Sequence, residues 1–119
     1  RFKINCEFTP HKDVSELDSQ QSLTLYRILQ ESLNNIARHA KASNVTVELK
    51  TAPDKFILDI NDNGIGFDMQ NTIGRQDSYG MIGMKERVVL LGGELNISSE
   101  IGKGTKVSVS IPAREEMKK

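Results

Sequence analysis

The chain has 119 residues, enough for one domain around a single core and too few for two. Hydrophobic residues make up 37% and charged residues 27%, which excludes a disordered chain, and the 16 Lys and Arg balance the 16 Asp and Glu. Zero net charge removes the electrostatic case for nucleic acid or an acidic membrane as a general partner, and no apolar run is long enough to span a bilayer.

Residues 2–8 alternate between apolar and polar, the period of a short strand. Cys6 lies within it. A lone cysteine forms no internal disulfide and no cysteine zinc site, which fits a reducing cytoplasm, and a small apolar strand residue is its simplest role. Residues 9–19 are polar, contain Pro10 and read as a loop. Over residues 20–40 the period becomes helical, with Leu25, Leu29, Leu33, Ile36 and Ala40 in one apolar stripe and Ser19 or Ser22 as the cap. Residues 45–49 alternate as a strand, Ala52-Pro53-Asp54-Lys55 turns, and residues 56–60 form the returning strand. Residues 61–80 hold glycines and polar residues without periodicity, a long loop of the kind that carries function. A second helix over residues 81–91 closes at Gly92-Gly93. Residues 95–98 and 106–111 are the last strands, around a turn at 100–104 and ended by Pro112. The order predicts a two-layer α+β sandwich, an α/β arrangement in which a mixed, mostly antiparallel sheet carries helices on one face.

Four clusters along this frame suggest chemistry. On the first helix, Glu31, Asn35 and His39 recur every four residues and share a side, with Arg38 next to them. An amide on a half-buried helix face must find partners, and its oxygen suits hard Mg²⁺, which keeps several waters and takes few protein ligands. A solvated helix face explains the same residues more simply when they are taken alone. Asp62-Asn63-Gly64-Ile65-Gly66-Phe67 follows a strand. A carboxylate there accepts a hydrogen bond from the exocyclic amine of adenine and opposes the carbonyl of guanine. An Asp/Asn-Gly turn is the bland reading, although no strand resumes directly after it. Gly80-Met81-Ile82-Gly83, at the expected start of the second helix, leaves N–H groups for an anion, without the lysine of a Walker loop or the βαβ context of a Rossmann motif. Gly102-x-Gly104-Thr105 before the last strand is weak evidence alone.

Together and in this order, from Ser22 to Pro112, the four clusters resemble the GHKL ATPase/kinase family of histidine kinases, type II topoisomerase ATPase subunits, a heat-shock chaperone and mismatch-repair ATPases. Residues Gln30 to Ala40 look like its N box. The Asp62, Gly80 and Gly102 clusters look like its three glycine boxes, with Met81-Ile82 departing from the small or aliphatic residues common in the second. Gly80-Met81-Ile82-Gly83-Met84-Lys85-Glu86-Arg87 followed by Leu91-Gly92-Gly93 is similar to the sensor histidine kinases of the nitrate-sensor and thermosensor type. The resemblance implies the Bergerat ATP-binding fold over residues 1–119, as a single catalytic domain cut from a longer kinase; a first residue of Arg1 in place of Met agrees with a piece. It implies ATP and Mg²⁺ as ligands. Asn35 would ligate the metal and Glu31 would orient a metal-bound water. Arg38 would contact phosphate, and His39 would sit near phosphate or ribose. Asp62 would read the adenine amine with support from Thr105, and Gly64 and Gly66 would make room for the nucleotide. Gly80 and Gly83 would hold phosphate under a mobile lid over residues 68–79.

Neither His11 nor His39 fits as the phosphorylated histidine. The resemblance puts that group on a separate dimerisation domain of the same protein, with a response regulator downstream. It implies a monomeric isolated domain, a homodimeric parent and a cytoplasmic location, with membrane attachment of the parent left open. The competing readings are a GHKL ATPase driving a conformational change, which the short lid disfavours, an anti-sigma-factor serine kinase, and an interaction domain with degenerate boxes.

Overall fold

A computed structural model describes residues 3–9, 17–37, 41–66 and 76–112. The elements run β1 (Lys3–Thr9), α1 (Ser19–Asn35), β2 (Asn44–Ala52), β3 (Lys55–Asp62), α2 (Gln76–Leu90), β4 (Glu94–Glu100) and β5 (Gly104–Pro112). The strands form one sheet in the order β1-β2-β3-β5-β4. Only β1 and β2 are parallel; β2–β3, β3–β5 and β4–β5 are antiparallel. The mixed, mostly antiparallel sheet expected from the sequence is present.

Strand alternation sorts the sheet into two faces. Phe56, Leu58 and Ile60 of β3 stand beside Ile111, Val109 and Val107 of β5, and all are buried. Val45 and Val47 of β2 and Leu95 of β4 extend the same face. Ile28 of α1, with Met84 and Val88 of α2 and Leu91 just beyond it, packs into this cluster. Each such side chain contributes about 1.5–3 kcal/mol of transfer free energy on full burial. On the opposite face Asp59 is only 5% exposed, bonded to Lys50 across the strand at 3.0 Å. Burial pushes the Asp59 carboxyl up, but the Ser108 hydroxyl, the bonded Lys50 and the charge of Lys106 outweigh it and hold it below its ordinary value. The bond to Asp59 and its charge in turn raise Lys50.

Helix α1 differs from its expected form in three ways. Its cap is Asp18 rather than Ser19 or Ser22. The Asp18 carboxylate accepts from the Gln21 N–H at 2.7 Å, and the Gln21 side chain accepts from the Asp18 N–H at 3.0 Å. The position of Gln21, three residues after the cap, makes this reciprocal box and decides between adjacent cap formers. The buried stripe is Gln21, Thr24, Leu25, Ile28 and Ser32, with Leu29 and Leu33 only partly buried at its flank. The buried stripe is less apolar in sequence than the expected one, with Gln21, Thr24 and Ser32 in it, and the sheet nevertheless selects the face centred on Ile28. The regular helix ends at Asn35, and residues 36–37 follow as a π-type turn, with the Ile36 N–H shared between the Ser32 and Leu33 carbonyls.

Helix α2 begins at Gln76, five residues before the expected start. Residues 76–80 contain no proline and one glycine, so nothing local forbids the extra turn. The helix ends as expected: the Gly92 N–H donates to Val89 O and the Gly93 N–H to Val88 O, both at 2.9 Å, a Schellman motif. No helix among the described residues is long and apolar enough to cross a membrane.

Candidate functional site

The face that carries the core ends in polar residues at one edge of the sheet. Across four neighbouring strands the register aligns Val45, Asp62, Thr105 and Ser99. Asp62 is the last residue of β3 and is 9% exposed. Its Oδ1 accepts the Gly64 N–H at 2.8 Å, a local turn that fixes the carboxylate. Among the described residues Oδ2 has no hydrogen-bond partner, so this oxygen remains to accept from a ligand.

Two glycines let the backbone close around this carboxylate. Gly104 has φ +82°, and a Cβ there would lie 2.1 Å from the Asp62 carbonyl oxygen. Gly66 has φ +68°, and a Cβ there would lie 2.0 Å from the Glu100 carbonyl oxygen. A side chain at Gly104 would push the β3 and β5 ends apart, and one at Gly66 would push the loop after β3 off the end of β4. The space expected to admit a ligand at Gly66 is therefore filled by this chain's own β4 end. A bond from Gly102 N to Ile65 O at 2.6 Å fastens the same two loops. Asn63 ties the loop on its other side: its Oδ1 accepts the N–H groups of Ser43 at 3.0 Å and Asn44 at 2.9 Å, and its Nδ2 donates to Ser43 Oγ at 2.9 Å.

A cavity of about 510 Å³ opens beside these residues, with Asp62, Ser99, Gly104 and Thr105 among its walls, together with Lys103 and Lys106. Small-molecule sites span about 300–1,000 Å³, and this volume falls within that range. Lys103 pairs with Glu100 at 3.5 Å, but both side chains are exposed and the pair adds little. Ser99, which the sequence did not single out, meets Thr105 Oγ1 at 2.8 Å and donates to Gly104 O at 3.1 Å. The hairpin supplied the signal: a turn pairing Glu100 with Gly104 must pair Ser99 with Thr105.

Glu31 and Asn35 lie one turn apart at the end of α1, both half-buried, and neither is in the cavity wall. Among the described residues the Asn35 side-chain oxygen is buried without a hydrogen-bond partner, as is Ser32 Oγ. A buried amide oxygen left unpaired costs about 1–3 kcal/mol, so the position is poor for stability and suited to a ligand. Among the described residues no group of three His, Cys, Asp or Glu side chains could hold a metal. The donors here, one amide oxygen and one nearby carboxylate, fit a hard cation that brings most of its own ligands.

The remaining expectations divide. Arg38 and His39, with His11 and residues 68–75 of the expected lid, lie outside the described residues. Gly80 and Gly83 are the fifth and eighth residues of α2, not its first. Their N–H groups fall within the helical ladder, whose free donors are only the first four. Residues 76–79 of the expected lid are helical.

Residues 20–115 match the family described as histidine kinase-, DNA gyrase B- and HSP90-like ATPase. The signal transduction histidine-protein kinase/phosphatase DegS of Bacillus subtilis (strain 168) is 35% identical over 94% of this chain and 29% of its own length. The signal transduction histidine-protein kinase/phosphatase UhpB of Salmonella typhimurium is 43% identical over 86% of this chain and 19% of its own. The chain thus spans under a third of these relatives. A histidine kinase domain from the blue-light activated histidine kinase of Erythrobacter litoralis EL346 has the same fold, with a TM-score of 0.70 over 99% of this chain and 55% of that one, at 21% identity. The matched stretch holds Asn35, Asp62 and the glycines that close the β3–β5 end, and the fold agrees over almost the whole chain. On these grounds the chain belongs to the histidine kinase-, DNA gyrase B- and HSP90-like ATPase family.

Proposed function

We propose that this chain binds Mg-ATP and donates the γ-phosphoryl group to a histidine on the dimerisation domain of the same sensor kinase. The phosphate would then pass to a response regulator, with the parent acting as a homodimer and this domain lying in the cytoplasm. The carrying observation is the Asp62 carboxylate, fixed by the Gly64 N–H, whose second oxygen has no partner among the described residues and which borders a cavity. That oxygen accepts from the 6-amino group of adenine and repels the 6-oxo group of guanine. Gly64 leaves the base room, and Thr105 stands opposite Asp62 in the register to support it.

At the other end, Asn35 would hold Mg²⁺ through its unpaired oxygen and Glu31 would orient a water on it. The metal would neutralise the charge of the transferring phosphoryl group. Arg38, which follows in sequence, would contact phosphate, His39 would sit near phosphate or ribose, and Gly80 and Gly83 would hold phosphate. The chain's own part in the reaction is positioning and charge stabilisation. The names of the relatives, kinases rather than gyrases or chaperones, support this choice within the family.

Calorimetric titration with Mg-ATP and Mg-GTP, alongside Asp62→Ala, tests the reading. ATP binding, weak or absent GTP binding and loss in the variant support it. Equal binding of both nucleotides, or an unaffected variant, overturns the adenine-reading role.

A further inference from the structure

We propose that Ser99 is a positioning residue that fixes Thr105 as a hydrogen-bond acceptor, and so makes the site demand a 6-amino purine. The inference rests on the adenine-reading role of Asp62 given above. It follows from counting protons. Each hydroxyl has one. The Gly104 carbonyl oxygen only accepts, so its 3.1 Å bond with Ser99 Oγ uses the serine proton. The 2.8 Å contact between Ser99 Oγ and Thr105 Oγ1 also needs a proton, and only Thr105 has one left to give. Thr105 therefore donates toward Ser99.

The register makes this direction matter. Thr105 lies between Asp62 on β3 and Ser99 on β4 in one row across the sheet. Its proton is drawn to the Ser99 side, away from Asp62, and its oxygen meets a third group only as an acceptor. The Asp62 carboxylate is an acceptor as well. Two neighbouring acceptors admit the two protons of an amine, taken directly or through a water that donates to both. They oppose a carbonyl at the same ring position twice over. Without Ser99, the Thr105 hydroxyl turns freely and presents its proton to Asp62 or to the ligand, and one of the two acceptors is lost.

The edge strand thus acts on base choice through the orientation that Ser99 gives the Thr105 hydroxyl. Gly104 is needed twice: its missing side chain lets β5 close on Asp62, and its carbonyl occupies the Ser99 proton.

The test compares ATP with inosine triphosphate, which carries oxygen in place of the amine, by titration in the presence of Mg²⁺. In Ser99→Ala the ratio of ATP to inosine triphosphate affinity should fall about tenfold, the size of one net hydrogen bond. ATP should weaken, and inosine triphosphate should hold or improve. Ser99→Thr keeps a hydroxyl and should keep the ratio. Thr105→Val should lose the ratio to the same extent, and the double variant Ser99→Ala/Thr105→Val should lose no more than either single change. A Ser99→Ala protein with both affinities reduced alike, or with the ratio intact, overturns the proposal; if that variant melts below the assay temperature, Thr105→Val with an unchanged ratio does so instead. Indifference of the unmodified chain to the purine, or of Asp62→Ala to ATP, would mean that the adenine-reading role itself had failed and this inference with it.

Discussion

The two ends of the candidate site are built in opposite ways. At the β3–β5 end each polar group is fastened to its own chain: Asp62 to Gly64, Asn63 to Ser43 and Asn44, Thr105 to Ser99, Gly102 to Ile65. At the α1 end, Asn35 and Ser32 each hold a buried oxygen with no partner among the described residues. The first end is arranged before a ligand arrives, and its hydrogen bonds stabilise fold and site together. The second places polar atoms where the fold alone has no use for them. On the proposed function, selectivity for the base would be a property of the sheet, whereas handling of phosphate and metal would be left to groups that gain partners only with the ligand.

The largest break in this contrast is Asp62→Ala. Loss of a hydrogen bond to a charged group should weaken ATP by about a hundredfold in calorimetry, some 2.7 kcal/mol, while circular dichroism shows the fold retained. Asn35→Ala tests the other end. The gain in ATP affinity on adding Mg²⁺ should shrink by about tenfold, and the melting temperature should hold or rise, because an unpaired buried oxygen goes and helix propensity improves. A melting temperature lowered by several degrees would show that Asn35 is a structural group like those of the first end. Asn63→Ala removes three side-chain bonds at the surface and should cost about 1 kcal/mol in urea unfolding, with ATP affinity falling through a looser Asp62 loop. The smallest effect belongs to Asp59, away from both ends on the open face. Asp59→Asn should leave nucleotide binding unchanged and lower stability at neutral pH by about 1 kcal/mol or less. Its carboxyl is held below the ordinary value, so the unfolded chain takes up that proton first as pH falls. The stability it supplies is complete above about pH 4 and is lost as pH drops below that toward the folded value; the variant's acid limb should be flatter there.

Much of this was legible in the sequence. Strand alternation, the two-residue turn at Pro53-Asp54, the closure at Gly92-Gly93 and the placing of Asp62 at a strand end all depend on local chemistry. The misses share one cause: several local answers were equally good, and tertiary contacts selected one. Asp18 and Ser19 both cap helices, and Gln21 chose between them. Ile28 and Leu29 both suit a core, and the sheet took Ile28. Gly80 and Gly83 look like a helix start, yet a helix tolerates glycine and α2 runs through them. Ser99 was missed because a serine on an edge strand has no distinctive pattern; only its register opposite Thr105 gives it meaning.

Gln21 has a second bond besides the one that caps α1: its Nε2 donates to the carbonyl oxygen of Pro112 at 2.9 Å, across 91 residues of sequence. That contact works as a clasp. It fastens the start of the first helix to the end of the last strand, so two segments near the borders of the family-matched stretch hold each other in place. Gln21 is fully buried, so water does not compete for this bond and neither segment frays without breaking it. Gln21→Ala is therefore a specific way to loosen that junction while both ends of the site keep their own contacts.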